Sequence, residues 1–218
     1  MPYYAIFEGS VYPEKTDASN KFYETLSPHL RRQRGLVEEI NYFNQNPNDS
    51  MLLSSWISEE ALTEWQVLPI HLRIQKAARE GVFSSYRIRL GHESESATSK
   101  MTSSPGQFMV LYQHPKSSAH GLDDANRSLL PSMGHLLGEG YDPSEILKAL
   151  LDHALWSTET HMLHVSGWPD KATAEIFEHS LKRVPGDWLR RIAVARDYTG
   201  THRREAPEKT EPDSDKKL

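Results

Sequence analysis

The sequence predicts an α+β chain of two similar halves, each a four-stranded antiparallel sheet with helices on one face. Three observations predict it. Residues 1–92 show apolar patterns in the order β-α-β-β-α-β, a tryptophan followed by a helix start recurs in the second half, and a Ser/Thr-rich stretch separates the two. A sheet covered on one face by helices leaves its other face apolar, and a second sheet is the usual cover. The expected architecture is therefore two tandem ferredoxin-like βαββαβ domains packed face to face.

The elements follow in order. Residues 3–11 form a first strand, rich in β-branched and aromatic side chains. A helix over 16–32 repeats Phe22, Leu26 and Leu30 at every fourth position, and Gly35 ends it. Leu36 to Asn44 and Met51 to Trp56 read as a hairpin around the turn Asn46-Pro47-Asn48-Asp49. Ser58 caps the next helix, and Glu59 and Glu60 suit the positive end of its dipole. Pro69 interrupts that helix, which resumes through His71, Ile74 and Ala78 until Gly81. Residues 83–91 close the first half as an alternating strand.

Residues 1–92 are thus a first domain and 93–106 a linker. Residues 107–202 form a second, less regular domain, and the charged, proline-punctuated run 203–218 a disordered tail. In the second domain the expected elements are a strand from Phe108 to Gln113, helices over 122–133 and 143–153, strands from Leu155 to Thr158 and His161 to Trp168, a helix from Asp170 to Lys182 and a last strand from Trp188 to Tyr198.

Composition narrows the function. With 25 basic and 30 acidic residues the net charge is -5, which offers no general attraction to a phosphate backbone, so nucleic acid is not an expected partner. The chain has no cysteine, which removes disulfides, zinc–thiolate sites and a thiol nucleophile. No basic, apolar leader opens the sequence and no window approaches the roughly 20 apolar residues that cross a bilayer. A cytoplasmic protein without membrane contact is expected. A homodimer stays open.

The internal repeat aligns Trp56-Ile57-Ser58-Glu59-Glu60-Ala61 with Trp168-Pro169-Asp170-Lys171-Ala172-Thr173. Carried forward, the offset sets Trp65 opposite Phe177. Aligning Arg87-Ile88 with Arg191-Ile192 requires the second copy to lack eight residues around Leu68 to Gln75, and His71 lies in that stretch.

Residues Met51 to Leu90 resemble the antibiotic-biosynthesis-monooxygenase family, a branch of the dimeric α/β-barrel superfamily. The resemblance rests on Ser55-Trp56-Ile57-Ser58-Glu59-Glu60-Ala61-Leu62, on Trp65 and His71, and on Gly81-Val82-Phe83-Ser84-Ser85-Tyr86-Arg87-Ile88. Val194 to Gly200, followed by Arg203-Arg204-Glu205-Ala206-Pro207, resembles the run that closes many such domains. The family likeness implies a pseudo-dimer of the barrel type within one chain. It also implies a pocket for a small organic molecule, and it fixes the fold more firmly than the chemistry.

Trp65 and His71 are the leading catalytic candidates. A tryptophan on the second helix packs against its sheet or walls a pocket and offers its indole N–H to a ligand; in the oxygenase branch, the resemblance implies, it serves the substrate. His71 titrates near neutrality and can take a phenolic or enolic proton, leaving an anion that reacts with dioxygen or cyclises. Arg87 and Arg89 share a strand face, and if it points into the sheet cavity Arg87 can stabilise an oxyanion. Trp56, Tyr86, Arg89 and His161 are expected to line the substrate site. His161 and His164 lie three apart on a strand and face opposite ways, so no metal site is expected.

No Gly-rich phosphate loop, nucleophile elbow or dinucleotide fingerprint occurs, so no cofactor is expected. The reading that follows is an enzyme of secondary metabolism acting on a polycyclic aromatic or polyketide-type molecule, by cofactor-independent oxygenation after substrate deprotonation. A polyketide cyclase or isomerase, a haem-binding or haem-degrading protein, and a non-catalytic binding module are the alternatives. The haem-degrading branch uses an asparagine on its first strand, which Tyr3 to Val11 lacks.

Overall fold

The computed structural model describes residues 1–94, 107–116 and 136–202. The linker from residue 95 on, the helix expected over 122–133 and the tail from 203, including the Arg-x-Ala-Pro run, lie outside them. The first half runs β1 (Tyr3–Val11), α1 (Thr16–Leu30), β2 (Leu36–Phe43), β3 (Asp49–Trp56), α2 (Glu59–Gln66), α3 (Pro69–Arg79) and β4 (Phe83–Glu93). The second runs β5 (Phe108–Pro115), α4 (Pro143–Leu147), β6 (Asp152–Ser157), β7 (His161–Trp168), α5 (Lys171–Ser180) and β8 (Trp188–Thr199). The helix expected over 143–153 stops after five residues. Its last part instead begins β6, because Asp152 and Ala154 face the protein interior in alternation with His153 and Leu155, a period of two.

All eight strands close one antiparallel barrel in the order β1-β3-β2-β6-β7-β5-β8-β4. Each half contributes the same internal order, so the tandem ferredoxin-like arrangement is present and the two sheets join edge to edge. The joints differ. β4 pairs with β8 from Arg87 opposite Thr199 to Glu93 opposite Ile192, whereas β2 meets β6 only at Phe43 opposite Ser157.

One contact is repeated at the same place in both halves. Trp56 Nε1–H donates to Ser54 Oγ at 3.1 Å and Ser54 Oγ–H to the Ala5 carbonyl at 3.4 Å. In the second half Trp168 Nε1–H donates to Ser166 Oγ at 2.9 Å and Ser166 Oγ–H to the Val110 carbonyl at 3.3 Å. Both indoles are fully buried, and each N–H must find an acceptor there.

The strand pairing corrects the repeat at its end. Tyr3 lies opposite Trp56 and Phe108 opposite Trp168, so Glu8 corresponds to Gln113 and their partners Arg87 and Trp188 correspond to each other. The second half is shorter there by eleven residues, the length of α3.

The apolar faces of the two sheets meet inside the barrel. Tyr4, Ile6, Tyr42, Met51, Leu53, Met109, Leu111, Leu163, Val165, Ile192 and Val194 pack there with Trp156. A hydrogen bond of 2.6 Å from Tyr42 Oη to Gln113 Oε1 crosses the halves within this core. The expected cavity between facing sheets is therefore filled by the chain's own side chains. Helices cover the outer faces, α1 to α3 on the first half and α5 on the second. Among the described residues no helix is long and apolar enough to cross a membrane.

Candidate functional site

The open space lies on the other side of the first sheet. A cavity of about 240 Å³ sits between the outer face of β1, β2, β3 and β4 and the helices α1, α2 and α3. Its floor includes Ala5, Phe7, Asn41, Leu52, Ile88 and Leu90, and Tyr198 of β8 adds a side chain from the second half. Phe22, Leu26, Leu62, Trp65, His71 and Ile74 close it from above. Among the described residues no aspartate, glutamate, lysine or arginine lines it.

Local sequence explains how His71 comes to face Trp65. Ser58 caps α2 by accepting the Ala61 N–H at 3.3 Å, which sets Ala61, Leu62 and Trp65 on the buried face of that helix. Leu68 takes the extended conformation expected before a proline, and Pro69 begins α3 where its missing N–H costs nothing. The chain thus restarts at a new angle. His71 Nδ1 comes to 3.0 Å from the Trp65 carbonyl, one of the last carbonyls of α2, and the two rings stack with centroids 4.3 Å apart and planes at 24°.

A carbonyl can only accept, so the proton of neutral His71 sits on Nδ1 and the lone pair on Nε2. The side-chain amide of Gln75, one turn further along α3, meets that lone pair at 3.0 Å. The arrangement defines which nitrogen of the neutral ring can take up a proton.

Sequence reasoning therefore named two side chains that share this cavity, Trp65 and His71. It missed Gln75, although a residue four after a histidine on a helix shares its face. It also missed Asn41, whose amide donates to Tyr23 Oη at 2.6 Å, and Tyr23 itself on α1.

The other expected site residues lie elsewhere. Trp56 is fully buried beneath α2, its N–H taken by Ser54. Arg87 and Arg89 point to the barrel side of β4, away from His71. Arg89 is 2% exposed and bridges Glu8 at 2.6 Å and Asp152 at 2.9 Å; Arg87 bridges Asp152 at 2.8 Å and Asp197 at 2.5 Å. These carboxylates hold Arg87 above the ordinary arginine range, the Asp197 hydrogen bonds first. Neither arginine is an oxyanion donor for this cavity, because their strand positions alternate with Ile88 and Leu90, which do face it. Tyr86 lies outside the cavity, stacked 6.1 Å from Phe7. His161, beside Thr160 at the start of β7, belongs to the second half and lies away from it.

On that second half, His114, His164 and His153 form a row, with neighbouring ring nitrogens 3.3 Å apart. Burial pushes His153 down to about 4. Among the described residues no group of three His, Cys, Asp or Glu is placed to hold a metal ion.

No family model matches the chain. It is similar to the jasmonate monooxygenase ABM of Pyricularia oryzae, with 30% identity over 95 residues, 43% of this chain and 44% of that protein; the match spans less than half of the relative's length. A solved Mycobacterium tuberculosis protein, Rv0793, is 16% identical over 45% of this chain and all of its own, with a TM-score of 0.41. An anthrone oxidase-like protein of known structure is 11% identical over 95% of this chain and 97% of its own, with a TM-score of 0.38. Over those 95 residues the chain is similar to a protein of the antibiotic biosynthesis monooxygenase type.

Proposed function

We propose that the chain is a monooxygenase that acts without a bound cofactor on an apolar, acidic-carbon or phenolic small molecule held between the first sheet and its helices. The observation that carries this reading is His71 lining an apolar cavity with its Nδ1 held 3.0 Å from the Trp65 carbonyl, which makes Nε2 the basic nitrogen of the neutral ring. The names of relatives point to the same chemical class, a monooxygenase of jasmonate in one case.

His71 Nε2 takes a proton from the substrate, displacing the Gln75 amide. The imidazolium that forms is stabilised by the indole face beneath it and by the Trp65 carbonyl. The carbanion passes one electron to dioxygen, the radical pair combines to a peroxide, and loss of water leaves a carbonyl. In sum a CH₂ group and O₂ give C=O and H₂O, with the substrate supplying all the electrons.

An apolar cavity raises the energy of the anion and speeds its electron transfer, and Asn41 and Gln75 supply dipoles where Arg87 does not reach. Oxygen uptake with a model anthrone tests the reading. Wild-type protein is expected to consume one O₂ per anthrone and His71→Ala to lose the rate by about 10²- to 10⁴-fold. Product formed without oxygen uptake would replace oxygenation by a cyclase or isomerase reaction at the same base.

A further inference from the structure

A second space adjoins the cavity. An open cleft of about 680 Å³ lies at the end of the barrel, lined by Glu8, Arg79, Phe83, Tyr86, Arg87 and Trp156 among others. Ala78 and Phe83 line both the cleft and the His71 cavity, so this methyl group and this ring are the wall between them. Gly9 keeps the wall thin on the sheet side, since a Cβ there would lie 2.8 Å from the Phe7 ring and 3.0 Å from the Phe83 ring.

The two spaces differ in charge. Among the described residues the cavity has no aspartate, glutamate, lysine or arginine in its lining, whereas the cleft has four. Three of these four are already satisfied. Glu8 is paired with Arg89, Arg87 with Asp152 and Asp197, and Asp49 accepts from the amides of Asn44 and Asn46. Arg79 is exposed and makes no ion pair or hydrogen bond among the described residues. It stands on the helix that carries His71, eight residues on, which a rise of 1.5 Å per residue converts to about 12 Å along the axis.

We infer that cavity and cleft are two parts of one site for an amphipathic carboxylic acid. Its apolar body lies in the cavity against His71 and Trp65, its chain passes between Ala78 and Phe83, and its carboxylate pairs with Arg79. This rests on the proposed use of the His71 cavity and adds the substrate's class and orientation to it. The helix acts as a ruler: its rise sets His71 and Arg79 about 12 Å apart along the axis, and a substrate reaching from one to the other needs a chain on the order of ten carbon–carbon bonds.

Isothermal titration of the full chain with decanoate and with methyl decanoate tests this. Decanoate is expected to bind about fivefold more tightly than its ester, and Arg79→Gln to remove that preference while leaving ester affinity in place. Phe83→Trp, which thickens the wall, is expected to weaken both. Equal binding of acid and ester by the wild-type chain, or an acid preference that survives Arg79→Gln, overturns the carboxylate anchor and leaves the cavity reading standing. A chain that binds neither probe overturns both together.

Discussion

The imidazole of His71 lies against the indole of Trp65, with 4.3 Å between centroids, while its Nδ1 meets the carbonyl of that same residue. One residue thus contacts the imidazole through both its side chain and its backbone. The carbonyl contact survives a substitution at position 65 that keeps the helix, so the two contributions can be separated.

Trp65→Phe keeps an aromatic face under the imidazolium and Trp65→Leu removes it. The leucine variant is expected to turn over about tenfold more slowly than the phenylalanine variant, the size of a partly desolvated cation–π contact. Steady-state oxygen uptake by both variants measures this, and equal rates would assign the indole to packing alone.

The repeated tryptophan–serine contact predicts matched effects in both halves. Ser54→Ala and Ser166→Ala each leave a buried indole N–H without its acceptor, at a cost of about 1–3 kcal/mol. Urea unfolding of the two variants is expected to give similar losses.

Arg89 is a different case, because its partners are carboxylates that remain when it is removed. Arg89→Met leaves Glu8 and the inner oxygen of Asp152 facing each other inside the barrel end, and is expected to cost about 3–5 kcal/mol. A loss below about 1 kcal/mol in chemical denaturation would show that water already screens this group.

His153 gives the fold a dependence on acidity. Burial holds its folded-state value at about 4, against 6.5 for the free side chain, with Asp152 opposing the shift. The folded chain therefore binds fewer protons than the unfolded chain between these values. That stability is complete above pH 6.5 and is lost as the pH falls towards 4. Unfolding at pH 7 and pH 5 is expected to differ by about 2 kcal/mol from this residue, and His153→Asn to remove that part of the slope.

Much of this fold was legible in the chain. Turn chemistry at Asn46 to Asp49, the cap at Ser58 and the break at Pro69 are local signals, and each stands where the elements change. His71 and Trp65 were legible for the same reason, since the proline between them makes their meeting a local event. The facing of Arg87 and Arg89 was not. Alternation identifies residues that share a face, but both faces of this sheet are buried, one by the barrel core and one by helices, so polarity cannot say which is which. The same ambiguity displaced the expected cavity from the inner face to the outer one. The short α4 and the early start of β6 were missed because Leu147, Leu150 and Leu151 keep a helical spacing up to the residue where the strand begins.

The unequal joints give the molecule a spine and a clasp. Along β4 and β8 the halves are stitched by a long ladder, while at Phe43 and Ser157 they are held by one fastening. If the ring opens, the clasp is expected to part before the ladder, with loss of the Tyr42–Gln113 bond, and to move β2 with the strand edge that carries Asn41. The chamber roofed by α1 would feel that swing first, whereas the ladder beside Tyr198 stays still.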